Sequence, residues 1–98
     1  MEPVHHFAAG VYAREQVLLA GQSVQTHAHK YDHLSIMVGG PVSVDCDGAV
    51  TKYEGHACIL IKAGVKHKIT ASGDSVWFCV HGTNETDLAK IDDVLIGD

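Results

Sequence analysis

The chain is a succession of short apolar runs cut by glycine-containing turns. The stretch "VYAREQVLLAG" alternates imperfectly between apolar and polar positions and stops at Gly21. "HLSIMVGG" reads as a strand closed by Gly39, Gly40 and Pro41. Alternation is strongest in "VSVDCDGAVTKY". At its centre, Asp47-Gly48 is a residue pair suited to a two-residue type I′ hairpin, which needs positive φ at both positions. Gly55, the run "ACILI" and a turn at Ala63-Gly64 come next; "HKITA", a turn at Ser72-Gly73-Asp74 and "SVWFCVHG" follow. Short strands at regular spacing, with turn signals between them, predict an all-β sandwich or barrel. The tail changes period. Leu88, Ile91, Val94 and Leu95 lie three and four apart, which predicts one short C-terminal helix, with Thr86 as its cap, Asp87 in its first turn and Gly97 at its end.

Composition narrows the class. A chain of 98 residues has room for one core, so residues 1–98 read as a single domain. With 46% hydrophobic and 19% charged residues, the chain is ordered rather than disordered. Formal net charge is −5 and the seven basic residues are scattered, which argues against a nonspecific grip on nucleic acid. No apolar stretch has the length of a membrane span, and "MEPVHHFAAG" lacks the basic start and apolar run of a secretory signal. Cysteines number three, Cys46, Cys58 and Cys79. An odd count without C-x-x-C spacing argues against a disulfide framework and a zinc knuckle, and a cytoplasmic setting is expected. Cys58 and Cys79 sit in apolar runs and read as small core residues.

Eight histidines are the outlier. In "THAHKYDH", His27 and His29 are two apart, so on a strand both rings project from one face and can take adjacent corners of a metal ion. His33 lies four further on, and His67 in "IKAGVKH" is delivered by a turn to the head of a later strand. An H-x-H pair alone is a weak signal, since short motifs match by accident and a histidine-rich polar loop gives the same letters. The third histidine and the all-β context strengthen it.

The stretch "GQSVQTHAHKYDHLSIMVGG" resembles the first motif of the cupin superfamily: Gly, five residues, H-x-H, three or four residues, Glu, six residues, Gly. Gly21, His27, His29 and Gly40 fall at those spacings, and His33 stands where the family usually has its glutamate. "GHACILIKAGVKH" resembles the second motif, with Gly55, Gly64 and His67 matching it. Lys62 replaces a common proline and Ala71 a frequent asparagine, changes that touch turn geometry, whereas His33 touches the metal. The resemblance covers residues 21–67, with strand-like sequence on both sides. It implies a double-stranded β-helix (jelly-roll) barrel, with one divalent transition metal (zinc, nickel, iron or manganese) held by His27, His29, His33 and His67.

Imidazoles suit such metals, whereas magnesium and calcium prefer oxygen ligands. Four neutral imidazoles leave the ion's double charge uncompensated, so an anionic ligand or substrate is expected beside it. Ser35 and Met37 share a strand face with His33 and would line the pocket, with Tyr31 at its mouth. Asp32 is either a partner orienting a ligand imidazole or a solvated turn residue. His81 is the candidate catalytic acid or base. Small metal cupins include dioxygenases, isomerases and lyases acting on organic acids and sugars. A noncatalytic metal or ligand binder is the alternative, and a purely structural metal a third reading. No G-x-S-x-G, phosphate loop or H-E-x-x-H occurs. A homodimer is expected, with "FAAGVYAREQVLLAG" supplying apolar content for pairing.

Overall fold

A computed structural model describes residues 2–26, 28 and 30–95. Seven strands and one helix follow one another in it: β1 (Val4–Ala8), β2 (Val11–Leu18), β3 (Ser23–Gln25), β4 (His33–Cys46), β5 (Ala49–Ile61), β6 (His67–Ala71), β7 (Ser75–Gly82) and α1 (Leu88–Leu95). Every strand pairing is antiparallel. The order runs β1-β2-β7-β4-β6-β3, with β5 alongside β4. The result is the all-β jelly roll, with its short C-terminal helix, that the sequence predicts.

Strand β4 organises the barrel, because its two halves pair with different strands of one curled sheet. Its first half, Leu34–Gly39, pairs with β7, and its second half, Val42–Cys46, pairs with β6. The change of partner requires a sharp bend, which comes at a register shift between Gly39 and Val42. The two glycines that look like a strand terminator are therefore a corner within one 14-residue strand. Gly39 has φ of 97° and lies so close to β7 that a Cβ there would stand 2.6 Å from the Asp74 carbonyl oxygen. Strand β5 likewise passes through Gly55, which pairs with Gly39 at the same bend. Sequence periodicity cannot distinguish such a corner from an end, since glycine marks both.

Other local signals hold. Asp47 and Gly48 have φ of 50° and 87° and join Cys46 to Ala49 as a two-residue hairpin, with the Asp45 carboxylate accepting the Gly48 N–H at 2.8 Å. The first hairpin, β1-β2, turns at Ala9-Gly10, also at positive φ (51° and 73°), a pair with no strong turn signature. At the helix start the cap is Asp87 rather than Thr86. Its Oδ1 accepts the Ala89 N–H at 2.9 Å, satisfying a donor that the first turn leaves open. Gly97, expected to end the helix, lies outside the described residues.

Alternation fills the core from five strands. Leu18, Met37, Val42, Val44, Ile59, Ile61, Ile69, Ala71, Trp77 and Cys79 pack together inside the barrel. Ile91 of α1 packs against Tyr12 and Phe7, so the helix rests on β1 and β2. Cys58 departs from the sequence expectation. It is exposed, because strict alternation on β5 turns Ile59 and Ile61 inward and leaves Cys58 and Leu60 on the outer face.

Candidate metal centre

His67 stands at the head of β6 and is 4% exposed. Its Nδ1 lies 3.1 Å from the Val65 carbonyl oxygen, two residues back in the turn. A carbonyl can only accept, so Nδ1 carries the proton and the neutral ring keeps its lone pair on Nε2. A hydrogen bond of this kind is how proteins orient histidines that ligate metals. The His67 backbone is tied to Thr26: the Thr26 N–H donates to the His67 carbonyl at 2.8 Å, and the His67 N–H donates to Thr26 Oγ1 at 3.1 Å. Thr26 is the residue before His27. The chain entering "HAH" is thereby fixed beside His67, while His27 and His29 themselves lie outside the described residues.

His33 opens β4 and is 6% exposed. Its Nε2 lies 3.5 Å from Ser35 Oγ. The bend before it is tied to the turn before His67, because the Asp32 carboxylate accepts the Ala63 N–H at 2.8 Å and lies 3.6 Å from the Lys62 ammonium. The Ala63 N–H, together with Lys62, holds the Asp32 carboxyl below its ordinary range. Asp32 thus acts on backbone, as a half-exposed clamp between two turns. Among the described residues no three side chains of metal-binding type come together, since two of the four expected ligands fall outside them. His33 and His67 fit a transition metal chemically: both are buried imidazoles, and the hydrogen bond of His67 to Val65 leaves Nε2 as the ligating nitrogen.

No protein-family model matches the chain, and no curated protein does. Solved structures do match. A cupin protein from Bacteroides fragilis superposes with a TM-score of 0.69 at 19% identity, over 88% of this chain and 80% of that one. A cupin-2 domain protein from Shewanella frigidimarina gives 0.67 at 13% identity, over 83% and 79%. Salicylate 1,2-dioxygenase from Pseudoaminobacter salicylatoxidans gives 0.72 at 15% identity, over 95% of this chain but only 27% of the enzyme. The chain has the cupin fold.

On the inner surface of this cupin barrel, Ser35 and Met37 follow His33 along β4 and are fully buried. Tyr31 is 62% exposed, at the bend before β4. His81, on the last strand, is 5% exposed, with its ring centroid 4.2 Å from that of His33. Strand register extends this contact into a row. Tyr12 pairs with His81 across β2 and β7, and Phe7 pairs with Tyr12 across β1 and β2. The Tyr12 and His81 rings stack at 6.2 Å, and the Tyr12 hydroxyl is 2.7 Å from His5 Nδ1. No motif or spacing in the sequence marks Tyr12. The alternation in "VYAREQVL" turns Tyr12 inward, but only the order of strands brings that position beside His81.

Cys79 lies behind Ser35, whose hydroxyl is 3.8 Å from its sulfur. Burial pushes the Cys79 thiol up, against smaller opposing effects of Ser35, Trp77 and Arg14. A protonated buried thiol is a poor nucleophile. Cys79 is therefore expected to resist alkylation in the native protein and to react only on unfolding, as peptide mass mapping after timed labelling would show. Native-state labelling at Cys79 as fast as at Cys46 would contradict this placement.

Proposed function

We propose that this chain is a metal-binding cupin. In this reading His27, His29, His33 and His67 hold one divalent transition metal, with zinc, nickel, iron and manganese as the candidates, and the protein acts on a small organic acid or sugar. The observation that carries the reading is the His67–Val65 hydrogen bond at 3.1 Å, which orients a buried imidazole and assigns the lone pair of its neutral form to Nε2. When bound, the metal would supply Lewis acidity, or redox chemistry if it is iron or manganese, toward dioxygenase, isomerase or lyase reactions. Its ligands bring no negative charge of their own, which favours an anionic partner. His81 is the residue suited to hold or accept a proton, being buried with its ring against His33. Tyr12 presents a hydroxyl, held by His5, on the far side of His81.

The test is the metal content of untagged protein as isolated, measured by mass spectrometry beside a His27→Ala/His67→Ala double variant. About one transition metal per chain, lost in the variant, is the expected result. No metal as isolated and none taken up on reconstitution would overturn the proposal. Azide added to cobalt-substituted protein then separates chemistry from mere structure. A change in the visible spectrum means an open coordination position, whereas an unchanged spectrum means a closed site and a noncatalytic ion.

A further inference from the structure

Arg14 is the single arginine of the chain, and the strand register turns it toward the inside of the barrel. On β2 it shares the face of the buried Tyr12 and Leu18, with which it alternates. Across the sheet it is in register with His5 on β1 and Cys79 on β7, and Cys79 in turn with Ser35 on β4. Its charge is felt there: the guanidinium favours the thiolate form of the buried Cys79, opposing the larger effect of burial. Glu15, the next residue, takes the other face, where its carboxylate lies 3.0 Å from the His6 imidazole.

A guanidinium drawn toward a barrel interior loses water, and an anion normally compensates it. Among the described residues Arg14 meets no carboxylate. Its side-chain hydrogen bond runs from Nη2 to Gln16 Oε1 at 3.5 Å, a long contact with a neutral acceptor. The inward positions of β7 and of β4 before the bend hold serine, tryptophan, cysteine, methionine and histidine, and no acid. A chain with 12 acidic and 7 basic residues thus turns a cation and no acid into this wall. The cation is also the one suited to the task. A planar guanidinium matches both oxygens of a carboxylate, whereas the other fixed cations of the chain are lysines, which lack that fork.

We infer that Arg14 is the carboxylate clamp of the proposed site, so that the ligand is a small carboxylic acid and not a neutral sugar. The guanidinium receives the carboxylate, and the rest of the molecule lies over Cys79 and His81 toward His33. The strands β2 and β4 flank β7 at one spacing each, about 10 Å apart in all, a gap that an arginine side chain and a ligand of a few heavy atoms span together. Arg14 is only partly buried, so a small anion reaches it from solvent. The inference rests on the proposed metal centre for the far end of the ligand alone. Arg14 is no metal ligand, and its grip on a carboxylate survives loss of the metal.

With one arginine in the chain, phenylglyoxal has one guanidinium to modify, and peptide mass mapping reads the rate at Arg14. Labelling is run at constant ionic strength on metal-free and nickel-loaded protein, with acetate, benzoate and succinate, each beside its amide, and with inorganic phosphate. At least one carboxylate is expected to slow labelling saturably, by about fivefold at four times its dissociation constant, while the amides do nothing. Arg14→Lys keeps the charge without the fork, and calorimetry should show the most protective carboxylate bound about tenfold more weakly. Equal rates with carboxylates and amides would overturn the inference, as would protection no better than that of free Nα-acetylarginine. So would stronger protection by phosphate, unchanged affinity in Arg14→Lys, or an Arg14 that phenylglyoxal cannot reach. Failure of the metal reading looks different: no nickel is taken up, while carboxylates still protect Arg14.

Discussion

Gly39→Ala is expected to lower the melting temperature by about 15 °C. Two costs combine. At φ of 97° an alanine is strained, by about 1–2 kcal/mol. Its Cβ would also lie 2.6 Å from the Asp74 carbonyl oxygen and 3.3 Å from Ser75 Cα, and both are backbone atoms of the neighbouring chain segment. Moving a packed backbone aside adds about 1–3 kcal/mol. The sum, about 3 kcal/mol, corresponds to about 15 °C in a chain of this length. Gly55→Ala is the matched control. Gly55 pairs with Gly39 and has φ of 84°, but nothing lies within 4 Å of the Cβ position, so only the first cost applies. Thermal unfolding followed by circular dichroism should show Gly39→Ala as the more damaging by two- to threefold. Equal effects would mean that the bend does not rest on close approach of β4 to the turn at Asp74.

Loading with metal is expected to raise the melting temperature by about 15–30 °C. A ligand that binds only the folded chain, at a free concentration a thousandfold above its dissociation constant, stabilises by about 4 kcal/mol. At about 4–8 °C per kcal/mol for a small domain, that gives the stated range. His67→Ala should abolish most of the shift, measured against the variant's own metal-free melting temperature, since truncating a buried side chain that bonds to Val65 lowers that baseline as well. Metal competes with protons for imidazole, so the shift should also shrink as the solution is acidified. Differential scanning fluorimetry with zinc, nickel, iron(II) and manganese would measure it. A shift under 2 °C for every metal, or one kept in His67→Ala, would exclude a site built on this histidine.

Legibility from sequence followed the range of the physics involved. The Asp47-Gly48 hairpin was readable because its two residues alone meet the conformational demand of the turn. The His67 position was readable from its spacing after Gly64. The continuation of β4 through Gly39 and Gly40 was not, because whether a glycine ends or bends a strand depends on partners outside the local stretch. Cys58 shows the same limit. Its apolar neighbours suggested burial, but the face it takes follows from which side of β5 meets the core. At the helix, Thr86 and Asp87 are adjacent and both able to cap, and only the bond to Ala89 distinguishes them. Tyr12 entered the site by strand order, which no window of sequence contains.

The hydrogen bonds between Thr26 and His67 join residues separated by 41 positions, and Asp32 reaches Ala63 across 31. Contacts of such long range form late, after the entropy of closing the intervening loop has been overcome. The β4-β5 hairpin closes through a two-residue turn and can form early, but it carries only His33 of the four proposed metal ligands. A metal ion has little to hold until β3 and β6 have met. It should therefore slow unfolding much more than it speeds folding, and a nascent chain would have to complete its barrel before it could compete for metal.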